Sequence, residues 1–157
     1  MRRMISMCVF AVLALAVISL HATPVDKDED TLRALVPKIV DAWGTMDIAK
    51  VDLYYATDSD FAYFDVAPLK YDNWKQYRET VQKVFFEPNR SIKATINDLR
   101  VHRRGSLAWA TFTFGMDIVP KQGAPAHLDG RWTMVLEKRS PGWIVVHEHV
   151  SVPLAGA

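Results

Sequence analysis

The spacing of apolar residues changes once along this chain, near Ser91, and that change limits the folds open to it. Before it, Leu32, Leu35, Val36, Ile39, Val40 and Trp43 recur at three- and four-residue steps, the pattern of an amphipathic helix with Asp30 or Thr31 as N-cap. Pro37 inside this stretch removes a backbone donor and is expected to kink the helix or mark its true first turn. Gly44 breaks it, Asp47 can cap a second short helix carrying Val51, Tyr54 and Tyr55, and residues 61–65 read as a short aromatic strand. Asp72 then caps a third helix in which Trp74, Tyr77, Val81, Val84 and Phe85 share one face, and Pro88 ends it.

After Ser91 the period is two. Leu99 and Val101 point to a strand that closes at Gly105, and Ala108, Ala110, Phe112, Phe114, Met116 and Ile118 alternate with Trp109, Thr111, Thr113 and Asp117. Residues 131–138 and 143–152 form a hairpin about Ser140, Pro141 and Gly142. The expected class is therefore α+β, with about three N-terminal helices packed on one strongly curved antiparallel sheet. Half of the residues are hydrophobic, enough for a full core in one domain.

Residues 1–22 follow a different logic. Arg2 and Arg3 precede an uncharged apolar run from Ile5 to Leu20, Ala22 offers a small residue for cleavage, and the polar stretch 23–30 follows. This is the pattern of a secretory signal peptide, which implies an exported, periplasmic or secreted, domain at 23–157. The run is shorter than the ~20 residues of a spanning helix, so no membrane association is expected after cleavage. Cleavage takes away two arginines, lowering the formal charge from +1 to −1, and also the lone Cys8. Disulfides, thiolate nucleophiles and Cys-ligated metals are thereby excluded. A charge so close to zero gives no field for nucleic acid, and His102, Arg103 and Arg104 read as a solvated turn.

Several stretches together carry a resemblance: AWGTMD at 42–47, FAYFD at 61–65, DNW at 72–74, GSLAWATFTF at 105–114 and GRWTMVLEKRSPGWIVVHEHVSVP at 130–153. The mature chain resembles a SnoaL-like domain of the nuclear transport factor 2-like superfamily. Its last hairpin is similar to the association domain of calcium/calmodulin-dependent protein kinases. The resemblance implies a cone-shaped fold around a pocket, and a homodimer through the opposite sheet face. The same shell serves ketosteroid isomerase, polyketide cyclases, dehydratases, epoxide hydrolases and proteins without catalysis, so the fold does not choose a reaction.

Carried over residue by residue, the resemblance places the isomerase general base on Asp65. The two oxyanion donors fall on Ile39 and near Met134, which donate nothing, and this counts against the isomerase reaction. The pocket arginines of the kinase domain fall near Phe114, Met134 and Val150, so a pocket here should prefer a small hydrophobic or aromatic molecule.

Strand parity adds to this. If Phe112, Phe114, Met134, Val146 and Val150 face the pocket, Glu148 does too, while His147, His149 and Ser151 face away. Asp65 and Glu148 could then form an acid and base pair in an apolar cavity, with desolvation raising both toward a catalytic range. The plainer reading makes Asp65 a strand terminator and pairs Glu148 with an arginine. Tyr63, Trp74, Tyr77, Phe112, Phe114, Trp132 and Met134 are the candidate ligand contacts, with packing in the core as the alternative. His147 and His149 share a face but lack a third ligand at useful spacing, so no metal is expected, and no motif calls for a cofactor. Three functions stay open: a small-molecule-binding domain, an isomerase, cyclase or dehydratase using Asp65, and an oligomerising interaction module.

Overall fold

A computed structural model describes residues 27–58 and 60–154. The signal-peptide reading of residues 1–22, and the domain boundary at 23, lie outside the described residues. Helix α1 (Lys27–Gly44) buries Leu32, Val36, Ile39, Val40 and Trp43 on one face. It continues through Pro37 instead of starting there. The carbonyl that Pro37 leaves without an amide partner is that of Arg33, on the exposed side of the helix where water can satisfy it. Asp47 caps the short α2 (Ile48–Val51) by accepting from the Ala49 amide at 3.1 Å, and a 3₁₀ turn (Asp52–Tyr54) follows.

Helix α3 (Trp74–Val81) is capped by Asn73, not by Asp72 as its sequence suggests, through a 2.9 Å bond from the Gln76 amide. A π-helical turn (Gln82–Phe86) extends it. The extra residue per turn changes the phase of the apolar face. Val84, expected inside, is 62% exposed, Phe85 is half-buried, and Phe86 takes the core position. Asp52 ties this helix to the 3₁₀ turn by accepting from Trp74 Nε1 at 2.9 Å and from both Nε and Nη2 of Arg78 at 2.8 and 2.7 Å.

Four strands, β1 (Asn89–Arg104), β2 (Leu107–Pro120), β3 (Ala126–Lys138) and β4 (Trp143–Ser151), form an antiparallel meander in sequence order. Strand β1 is far longer than its apolar pattern announces. A bulge interrupts it between Asn97 and Arg100, where Asp98 adopts φ 54°. The inward set passes from Ile92, Ala94 and Ile96 to Leu99 and Val101, a change from even to odd positions that hides the strand from a period-two reading. Gly105, at φ 62°, makes the two-residue turn into β2. A second irregularity, between Val135 and Leu136 of β3, lets β4 direct Val145, Glu148 and Val150 to the same side.

Residues 61–65 form no strand. Phe64 makes an isolated parallel bridge along the free edge of β4, with its amide on the Glu148 carbonyl and its carbonyl accepting from Val150, both at 2.9 Å. Tyr55 does the same further along, at Val145. Irregular segments thus cover an edge that would otherwise be open to pairing with another chain. The helices pack on the concave side of the sheet, and the core lies between them. His102, Trp109, Thr111, Thr113 and Arg131 fall on the outer side by register, leaving that face largely polar.

Candidate functional site

Glu148 has no exposed surface and lies at the centre of the aromatic core. Its inward direction follows from the parity of β4, and its burial is made possible by three donors from three other elements. Tyr77 of α3 donates to Oε1 at 2.6 Å, Trp132 of β3 donates to Oε2 at 3.0 Å, and the Tyr55 hydroxyl also donates to Oε2. Trp43 of α1 in turn donates to the Tyr55 oxygen at 2.8 Å. A buried carboxyl must be hydrogen-bonded or neutral, and no arginine or lysine supplies a counter-charge within this group of contacts.

Burial pushes the Glu148 carboxyl up to about 7, against the hydrogen bonds from Tyr55 and Tyr77, with the Asp65 charge adding to the rise. The same desolvation, and the nearby Glu148 charge, hold Tyr55 and Tyr77 well above the ordinary phenol range. All the donors are therefore neutral at physiological pH.

Beside this network is a cavity of about 270 Å³. Helix α1 lines it with Val40 and Trp43, α3 and its π turn with Tyr77, Val81, Val84 and Phe85, and the sheet with Ile92, Ala94, Phe114, Met116, Leu128, Trp132 and Val150. The loop after Phe64 closes one side with Asp65, Val66, Ala67 and Tyr71. That loop is held at its base by reciprocal Tyr63 and Tyr71 backbone bonds of 3.0 and 2.9 Å. Asp65 is half-buried, accepts from the Val66 amide at 2.7 Å, and has its carboxyl raised by desolvation. Tyr77, whose hydroxyl donates to Glu148, partly offsets the rise at Asp65 and lines the same cavity.

The positions singled out in the sequence separate into two groups. Asp65, Tyr77, Phe114 and Trp132 line the cavity. Tyr63, Trp74, Phe112, Met134 and Glu148 do not, and all five are buried in the core. Trp74 is stacked on Tyr55 at 4.2 Å and faces Asp52, and Tyr63 bonds the Ala56 carbonyl at 3.2 Å. Of the two carboxyls, Asp65 lines the cavity and Glu148 lies off its lining, behind the Tyr77 hydroxyl. Glu148 is paired with phenols and an indole, not with an arginine.

Sequence reasoning missed Tyr55 and Tyr71 as site residues; it named Trp43 as a ring that could stack on a ligand, and Trp43 does line the cavity, but its bond to Tyr55 was not foreseen. A signal for Tyr55 was present, because an inward glutamate needs donors and Tyr and Trp bring them to an apolar face.

His147 and His149 point away from the cavity and flank the Phe64 ring, at 5.2 and 5.8 Å between centroids, with His147 Nδ1 2.7 Å from the Ala62 carbonyl. His127 lies on the outer sheet face between Asp117 and Asp129, at 2.6 and 3.5 Å.

Comparison with known proteins points in one direction. The SnoaL-like domain family model matches residues 32–155. No curated protein matches. Among solved structures, a proposed dehydratase of the nuclear transport factor 2-like family from Streptomyces avermitilis superposes with a TM-score of 0.74 at 17% identity, covering 85% of this chain and 100% of that one. A proposed calcium/calmodulin dependent protein kinase II association domain from Xanthomonas campestris gives 0.70 at 22% identity, with 87% and 94% covered. A proposed aromatic ring hydroxylase from Novosphingobium aromaticivorans gives 0.72 at 17%, with 85% and 93% covered. At these identities the likeness is one of fold: three helices on a curved four-stranded sheet.

Proposed function

The chain belongs to the SnoaL-like domain family, and from that premise we propose that it is an exported small-molecule-binding domain whose cone holds a hydrophobic or aromatic compound. The observation that carries the proposal is the cavity, about 270 Å³ and walled by aliphatic and aromatic side chains with one carboxylate among them. Such a site gains affinity from apolar burial and orientation from its few polar groups. Export rests on the pattern of residues 1–22. Pairing of two copies through the outer sheet face belongs to the same reading, and sedimentation velocity of the purified protein reads it directly.

Binding is tested with N-phenyl-1-naphthylamine, a neutral probe that fluoresces in apolar surroundings. Saturable one-to-one binding is expected. Ala94 is a half-buried wall residue on β1, so Ala94→Trp should fill the cavity and weaken the probe at least tenfold. Equal binding by this variant, or a signal that never saturates, would count against the cavity as the site.

A second reading is favoured by one specific arrangement: Asp65 lines the cavity with its carboxyl raised, and Tyr77, which lines the same cavity, donates to Glu148 behind it. In that reading Asp65 is the acid or base that touches substrate, and Tyr77 and Glu148 hold or relay the proton behind it. Asp65→Asn would then remove turnover while leaving probe binding in place.

A further inference from the structure

The cavity is one-sided in its electrostatics. Among the described residues that line it, none is a lysine, arginine or histidine, whereas Asp65 contributes a carboxylate. Lys70, on the same loop, is turned to Asp72 at 2.6 Å and leaves Asp65 without a cationic partner from its own segment. Trp43, Tyr71, Tyr77 and Trp132 add four electron-rich rings to the walls. Two of them, Tyr71 and Tyr77, are stacked with centroids 4.6 Å apart, and Trp43 lies 5.7 Å from Tyr77. Behind Tyr77 stands the second carboxyl, Glu148, 2.6 Å from its hydroxyl.

We infer that the preferred ligand is an apolar amine, with its hydrocarbon body in the cavity and its ammonium group against Asp65. This deepens the binding function proposed above and rests on it. An ammonium there would find a carboxylate and aromatic faces in partly dehydrated surroundings, where charge pairing and cation–π attraction are stronger than in water. An anionic ligand would bury its charge beside a like charge, with no donor of opposite sign to offset the loss of water. A neutral ligand would gain the apolar term alone. The raised Asp65 carboxyl is consistent with a group that lacks its cation in the free protein.

The test uses three naphthalenes of nearly equal size, titrated calorimetrically into the protein at pH 7.5: 1-naphthylmethylamine, 1-naphthylmethanol and 1-naphthoate. The amine should bind at least tenfold more tightly than the alcohol, and the carboxylate most weakly. In Asp65→Asn, which keeps an acceptor for the Val66 amide, the advantage of the amine over the alcohol should disappear. Equal affinities for amine and alcohol, or an amine preference that survives Asp65→Asn, would overturn the inference and leave the apolar cavity standing. Failure of all three probes to bind would remove both.

Discussion

Glu148→Gln should flatten the dependence of stability on pH. The folded-state carboxyl titrates near 7, above the ordinary value of 4.5 that it regains on unfolding. The folded chain therefore holds a proton that the unfolded chain releases, and stability falls as pH rises from about 4.5 to about 7. Below that window the penalty is absent, and above it the penalty is complete. A displacement of this size is worth roughly 3 kcal/mol.

The amide of the variant does not titrate, so the gap between wild type and Glu148→Gln should shift by roughly that amount in favour of the variant between pH 5 and pH 8. Urea unfolding of both proteins at several pH values measures it. Parallel curves would mean that Glu148 titrates normally and that its burial is offset in another way. Glu148→Leu is the harsher change, because Tyr55, Tyr77 and Trp132 would keep their donors and lose their acceptor. A cost of ~3–5 kcal/mol is expected there, with a pH dependence as flat as that of the glutamine variant.

The second large effect is expected at Gly130. A Cβ at this position would lie 2.6 Å from Phe114 Cε1 and 3.0 Å from the Ser151 carbonyl oxygen, with the ring tip closer still. Phe114 is paired across the sheet with Gly130, is almost fully buried and lines the cavity. Its ring lies over the glycine because no side chain stands there. Gly130→Ala should cost ~2–3 kcal/mol as an overpacked site and press Phe114 toward the cavity. The probe of the binding experiment should weaken in parallel. Phe114→Leu shortens the side chain and opens room for the methyl group, so the double variant should be more stable than the two single costs predict, by at least ~1 kcal/mol of coupling. Strict additivity would show that the carbonyl of Ser151, and not the ring, limits the position.

The parts of the fold visible in the sequence are those where period and parity run uninterrupted. Strand β2 alternates without a break from Ala108 to Phe114, and its burial does the same. Helix α1 repeats cleanly enough that Pro37 does not end it. Where one residue is inserted, the pattern misleads. The π turn replaced Val84 by Phe86 in the core, and the bulge at Asn97 to Arg100 concealed the first half of β1. The aromatic segment at 61–65 has strand composition but only one edge to lie on, so it forms bridges in place of a ladder.

The site divides along the same line. The inward direction of Glu148 is a property of one strand and could be read locally. Of its three donors only Trp132 is near in the chain, 16 residues away on the hairpin partner; Tyr77 and Tyr55 lie 71 and 93 residues away, and nothing local connects them to it. Which aromatics would face the cavity and which would fill the core was likewise set by packing between elements, as Trp74 and Tyr63 demonstrate.

The same separations govern how the chain can fold as it is made. Tyr55 and Tyr77 cannot lose their water to a dry core until Glu148 arrives to accept from them, and Glu148 belongs to the last strand. At translation rates of about 5–20 residues per second, the 93 residues between Tyr55 and Glu148 take on the order of 5 to 20 seconds to emerge. Throughout that interval the helices carry hydroxyl and indole groups that favour hydration over collapse. Closure of the interior is thereby tied to the last strand, so the dry core forms late in synthesis and all at once, not helix by helix.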